Sequence, residues 1–161
     1  MDNMQTLDAG HLEKALNLLL DETFGQVHGI YLDRGTSLFE TLATISAEEA
    51  SVPVGDRCAT LAAQVKHIAF YLDVVVKATQ DPNKTPADWD MIWRTVSTVD
   101  EKGWEEIKEN LRVAYDGVKL WITEKPAWES ERQIGEAIAI IAHTAYHLGE
   151  IRQALCTLKQ G

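Results

Sequence analysis

Residues 140–155 read IIAHTAYHLGEIRQAL, and the reading of this stretch decides the rest of the chain. His143 and His147 stand four residues apart. On an α-helix such a pair lies one above the other, with Cβ atoms about 5–6 Å apart. Two imidazoles so placed can reach one metal ion at about 2.0–2.1 Å from each nitrogen. No Asp, Glu, Lys or Arg occurs from Ala137 to Leu148. A helix apolar on nearly all sides belongs in a core, where a polar ring needs a partner.

Around this stretch the sequence has the pattern of helices. Leu12, Ala15, Leu16, Leu19, Leu20, Phe24, Val27 and Ile30 recur at helical spacing over 7–30, with Asp8 as N-cap. A shorter amphipathic piece over 36–51 carries Leu38, Leu42 and Ile45, and Ser46 with Glu49 fits a capping box. The spacing of Leu61, Val65, Ile68, Leu72 and Val76 predicts a second long helix over 56–79, capped by Asp56 or Thr60. The β-branched run 71–76 favours a strand locally, but the length of the pattern favours helix. Residues 81–86 are turn chemistry. Trp89, Met91, Ile92 and Trp93 are too apolar for a free loop and read as a lid or short helix. Trp104, Ile107, Leu111, Ala114, Val118 and Trp121 predict a third long helix to Thr123, and a loop containing Pro126 precedes a fourth from about Gln133 to Lys159. The expected fold is all-α: one domain over 1–161, a four-helix bundle with a long crossover between helices two and three.

Composition narrows the function. The chain has 161 residues and a formal net charge of −10, which argues against nucleic acid as a partner. Two cysteines far apart imply no disulfide framework, and the expected location is a reducing cytoplasm. No signal peptide and no apolar run near the ~18 residues of a membrane span is found.

On a helical wheel His147, Glu136 and Glu150 all fall within about 40° of His143. His67, in the middle of the second long helix, is the natural third ligand if that helix faces the fourth. Three neutral imidazoles leave an open position on Zn²⁺, Ni²⁺ or a similar ion, as a catalytic site requires. The competing reading is a pair of core histidines hydrogen-bonded to polar neighbours, with Glu150 a solvated charge near a helix end. Glu136 sits too near the helix end to touch the ion. His11 and His28 read as surface residues, and the five tryptophans as packing.

The combination of Thr60-Leu61 and His67 on one helix with His143-Thr-Ala-Tyr-His147-Leu-Gly149-Glu150-Ile151 on another resembles the DinB-like superfamily. Its end motif reads approximately H-x-x-x-H-x-G-Q-I; Gly149 and Ile151 match, and Glu150 stands at the Gln position. The resemblance covers essentially the whole chain. It implies a small bacterial four-helix bundle, often a homodimer, with His67, His143 and His147 as the metal triad. Known activities of the family include transfer of low-molecular-weight thiols such as bacillithiol. The function so implied is a metal-dependent S-transferase joining a thiol to a small electrophile near Tyr71 and Tyr146, with the Trp89–Trp93 segment at the mouth. Two alternatives stand beside it. One is a hydrolase using metal-activated water, with Glu150 as catalytic base. The other is a non-catalytic, stress-related metal-binding bundle, suggested by the lack of Arg or Lys on the histidine stripe.

Overall fold

A computed structural model describes residues 8–53, 58–80, 87–124, 128 and 130–159. The turn expected at 81–86, the possible cap Asp56 and most of the expected loop around Pro126 lie outside them. The described residues form seven helices: α1 Ala9–Phe24, α2 Leu38–Leu42, α3 Ala47–Ala50, α4 Leu61–Gln80, α5 Met91–Thr95, α6 Glu101–Glu124 and α7 Glu131–Leu158. No strand occurs among them, and none of these helices is long and apolar enough to cross a membrane.

Local chemistry explains where the helices start. Asp8 accepts the His11 N–H at 3.0 Å, Thr60 Oγ1 accepts the Ala63 N–H at 3.2 Å, and Ser130 Oγ accepts the Gln133 N–H at 3.2 Å. Each bond satisfies a donor that a helix N-terminus leaves without an intrahelical partner. Ser46 and Glu49 form the reciprocal capping box that their spacing suggests, at 2.9 and 3.1 Å. The β-branched run 71–76 is helical throughout; burial of Leu72 and the packing of α4 outweigh local β preference.

α4 packs against both α6 and α7, and α1 packs against the same two helices. The shared core includes Leu16, Leu20 and Phe24 from α1, Leu61, Val65, Ile68 and Leu72 from α4, and Ile140, Leu148 and Ile151 from α7. From α6 it takes Trp104, Leu111, Val118 and Ile122. Phe24 stacks on Tyr115 with centroids 4.9 Å apart, and Phe39 meets the same ring edge-on at 5.5 Å. Pro53 bridges to Thr60, and the Ser51 hydroxyl bonds the Val99 carbonyl at 3.1 Å. The starts of α4 and α6 are therefore tied to the same short segment. Trp104 adds a bond from Nε1 to the Ile45 carbonyl at 2.8 Å.

Two sequence-based expectations are corrected. The first helix was expected to run to Ile30, but α1 ends at Phe24, with the Gly25 N–H closing on the Asp21 carbonyl at 2.8 Å. The reason is Glu22, whose fully buried carboxylate gathers four backbone N–H groups from the following loop: His28 at 2.6 Å and Ile30, Tyr31 and Leu32 at 2.9 Å each. Gly29, at φ +80°, lets the chain turn back toward that carboxylate. Those four donors outcompete a continued helix. Second, α7 is not apolar-buried all round. It packs on α1 and α4, which leaves its far side uncovered: Ile138 is 52% exposed and Tyr146 62%.

Candidate metal centre

Two helices supply the site. His67 is the seventh residue of α4, and His143 and His147 are separated by one turn of α7. Ring centroids are 4.6 Å apart for His143 and His147, 5.0 Å for His67 and His147, and 5.2 Å for His67 and His143. One ligand nitrogen from each ring lies within 4.8 Å of the other two. Bonds of about 2.0–2.1 Å to a shared ion need them closer still, a movement within ordinary side-chain torsional freedom.

The donor chemistry fits a cation. His67 Nδ1 and His143 Nε2 are buried without a hydrogen-bond partner among the described residues. Leaving a polar atom unpaired in the interior costs about 1–3 kcal/mol, so native structures nearly always satisfy it. His147 differs: its Nδ1 lies 2.8 Å from Glu150 Oε2. An ionised carboxylate only accepts, so Nδ1 donates and Nε2 is the nitrogen left for an ion. A carboxylate that fixes the tautomer and raises the basicity of a histidine is a recurrent feature around metal ligands.

Electrostatics keep the rings in the form a metal takes. Burial, then the neighbouring rings of His147 and His67, pull His143 down to about 4 against the opposing pull of Glu150. Burial, then His147, also lowers His67. Both imidazoles are neutral at pH 7, with a lone pair to give.

Aromatic rings frame the triad. Tyr71 stacks on His143 at 3.9 Å and Trp93 on His67 at 4.6 Å, while Tyr146 meets His147 edge-on at 5.1 Å. Trp89 touches the rings of His67, Phe70 and Tyr71. Rings locked by such packing lose little further freedom when they bind. Burial, then Glu136, raises the Tyr71 phenol. The Tyr146 phenol is raised first by its hydrogen bond with Glu150.

A cleft of about 340 Å³ opens on His147, lined by Cys58, Ala59, Gln64, Trp93, Tyr146 and Glu150. No known family model, curated protein or solved structure matches this chain. What the site can do therefore rests on its own residues: three converging imidazoles, one tethered by a carboxylate, beside an open cleft.

All six residues singled out in the sequence meet here: His67, His143, His147, Glu150, Tyr71 and Tyr146. Residues read as outside do lie elsewhere. Glu136 pairs with Arg132 at 2.8 Å, and His11 and His28 are exposed. Trp93 and Trp89 are half-exposed rings against the histidines rather than core packing. Gln64 and Cys58 were missed. Gln64 lies three residues before His67, one turn away on the same face, so a wheel would have found it. Cys58 comes from the segment before α4, and no periodic signal points to it.

Proposed function

We propose that this chain is a DinB-like four-helix bundle, built from α1, α4, α6 and α7 with a long crossover from α4 to α6, that binds a divalent metal ion through His67, His143 and His147. We infer that it works in the cytoplasm as a metal-dependent S-transferase, joining a low-molecular-weight thiol to a small electrophile. One observation carries the metal reading: three imidazoles from two helices converge, two of them with buried nitrogens that lack partners. The bundle reading is supported by α1 and α4 each packing on both α6 and α7, and by the starts of α4 and α6 sharing residues 51–53.

When bound, such an ion lowers the pKa of a thiol or water that joins it, so the deprotonated nucleophile is present at neutral pH. The chain's own residues supply the rest. Glu150 holds the His147 Nδ1–H, which aims Nε2 at the shared point. Trp93 and Tyr71 cover the outer faces of His67 and His143 and keep water off them. The cleft beside His147 offers Tyr146, Trp93 and Gln64 to an incoming electrophile, apolar rings against its body and an amide for polar groups. The hydrolase alternative asks Glu150 to take a proton from water. Glu150 is already engaged by His147 at 2.8 Å, which favours a positioning role.

Glu150→Gln separates the two. Loss of the carboxylate is expected to weaken metal affinity about 10–100-fold. At saturating Zn²⁺ or Ni²⁺, conjugation of a chromogenic electrophile to bacillithiol, cysteine or coenzyme A should then stay within a few-fold of wild type. If metal-loaded wild type conjugates none of these thiols but hydrolyses ester or amide substrates, and Glu150→Gln abolishes that hydrolysis, the S-transferase reading is lost and the hydrolase stands.

A further inference from the structure

A second cavity among the described residues lies away from the histidines. It is a groove of about 480 Å³ between α4 and α6, covered at one end by α5. Its walls are apolar: Phe70 and Val76 from α4, Val113 and Gly117 from α6, Met91 and Ile92 from α5. Val113 is 62% exposed and Met91 39%, so the apolar surface faces solvent rather than a packed neighbour. From Lys66 to Val76 the wall runs about 15 Å along α4, at 1.5 Å per residue.

Two charges line it. Asp73 is neutralised by Lys77, whose Nζ lies 2.5 Å from Asp73 Oδ2. Lys66 has no ion-pair partner among the described residues and stands near one end of the wall. On a chain of net charge −10, an unpaired lysine at the end of an apolar trough is a local reversal of the surrounding field. We propose that this groove binds an amphipathic carboxylate, a medium-chain aliphatic acid, with its tail along Phe70, Val113 and Val76 and its head on Lys66. The apolar length suits a chain of about ten carbons. A cationic amphiphile meets, among the described residues of the groove, a carboxylate already taken by Lys77.

The site lies on the α6 side of α4, separate from the triad, and the proposal does not depend on a metal. α5 borders both: Ile92 closes the groove while the adjacent Trp93 stacks on His67.

The test is calorimetric titration of the full chain with decanoate and with decyltrimethylammonium. Decanoate should bind one-to-one with a Kd of about 10–100 µM, and the cation at least tenfold more weakly. Lys66→Glu should weaken decanoate at least tenfold. Gly117→Leu should do the same by filling the groove, because a Cβ at Gly117 meets nothing within 4 Å. Leu is also a better helix former than Gly, so that variant keeps its fold, and an unchanged or raised melting temperature verifies this. The proposal is overturned by absence of saturable decanoate binding up to about 1 mM, by equal binding of the two amphiphiles, or by Gly117→Leu binding decanoate as well as wild type does.

Discussion

Replacing His147 by alanine is expected to lower affinity for Zn²⁺ or Ni²⁺ by on the order of a thousandfold, about 4 kcal/mol, and to strip the purified protein of tightly held metal. Two losses combine. One of three donors goes, and Glu150, left without its imidazole partner, no longer orients any ligand. His67→Ala and His143→Ala should act similarly, because each removes one of three converging nitrogens. Chelator competition and elemental analysis measure the effect directly. A thermal readout gives an independent check. Metal at a thousand times its Kd stabilises by about 4.1 kcal/mol, which for a chain of this size raises Tm by roughly 10 °C. That increment should appear in wild type and vanish in each alanine variant. Metal stoichiometry unchanged in all three variants would end the proposal of a three-histidine centre.

The second large effect lies far from the histidines. Glu22→Gln should lower Tm at pH 7 by roughly 10 °C and open the segment 25–37 to hydrogen exchange and proteolysis. Glu22 is fully buried and serves four backbone N–H groups with two oxygens. A glutamine presents an NH₂ where one of those oxygens stood, so donors face donors and at least one N–H is left buried and unpaired. The pH dependence separates loss of charge from loss of shape. Burial alone would raise this carboxyl, but the N–H groups of Leu32, Tyr31, His28 and Ile30 outweigh it and bring it down from 4.5 to about 2. A depressed folded-state pKa means that the unfolded chain binds the proton more readily. The contribution is therefore complete above about pH 4.5 and is lost as pH falls toward and through about 2. The difference in Tm between wild type and Glu22→Gln should be widest near neutrality and shrink below pH 4.5. A difference constant from pH 7 to pH 2 would mean that the carboxylate's charge contributes nothing.

These two residues show how unevenly the structure could be read in advance. His143 and His147 declare themselves because four-residue spacing on a helix is a local geometric fact. The stripe of α6 was legible for the same reason: Trp104, Ile107, Leu111 and Val118 are buried, as their period requires. Glu22 was invisible. In the sequence it is one acid among many on a patterned helix, and Val27 and Ile30 continue that pattern past the point where the helix ends. What ends it is a loop whose four N–H groups fold back onto one side chain. Nothing in the spacing of apolar residues encodes that closure.

The same division holds at the centre of the molecule. Sequence alone determined where the four long helices lie, the caps of two of them at Asp8 and Thr60, the Ser46 box of the short α3, and the pairing of His143 with His147, since capping and the 3.6-residue repeat act between residues close in the chain. Only the tertiary structure decided that His67 meets that pair, that Trp93 covers it, that Cys58 borders its cleft and that Glu150 turns to His147 rather than to water. A repeat specifies which residues share a face of one helix. Which faces meet, and at what height, depends on rotation and sliding between helices, and those are set by the packing of the whole core at once.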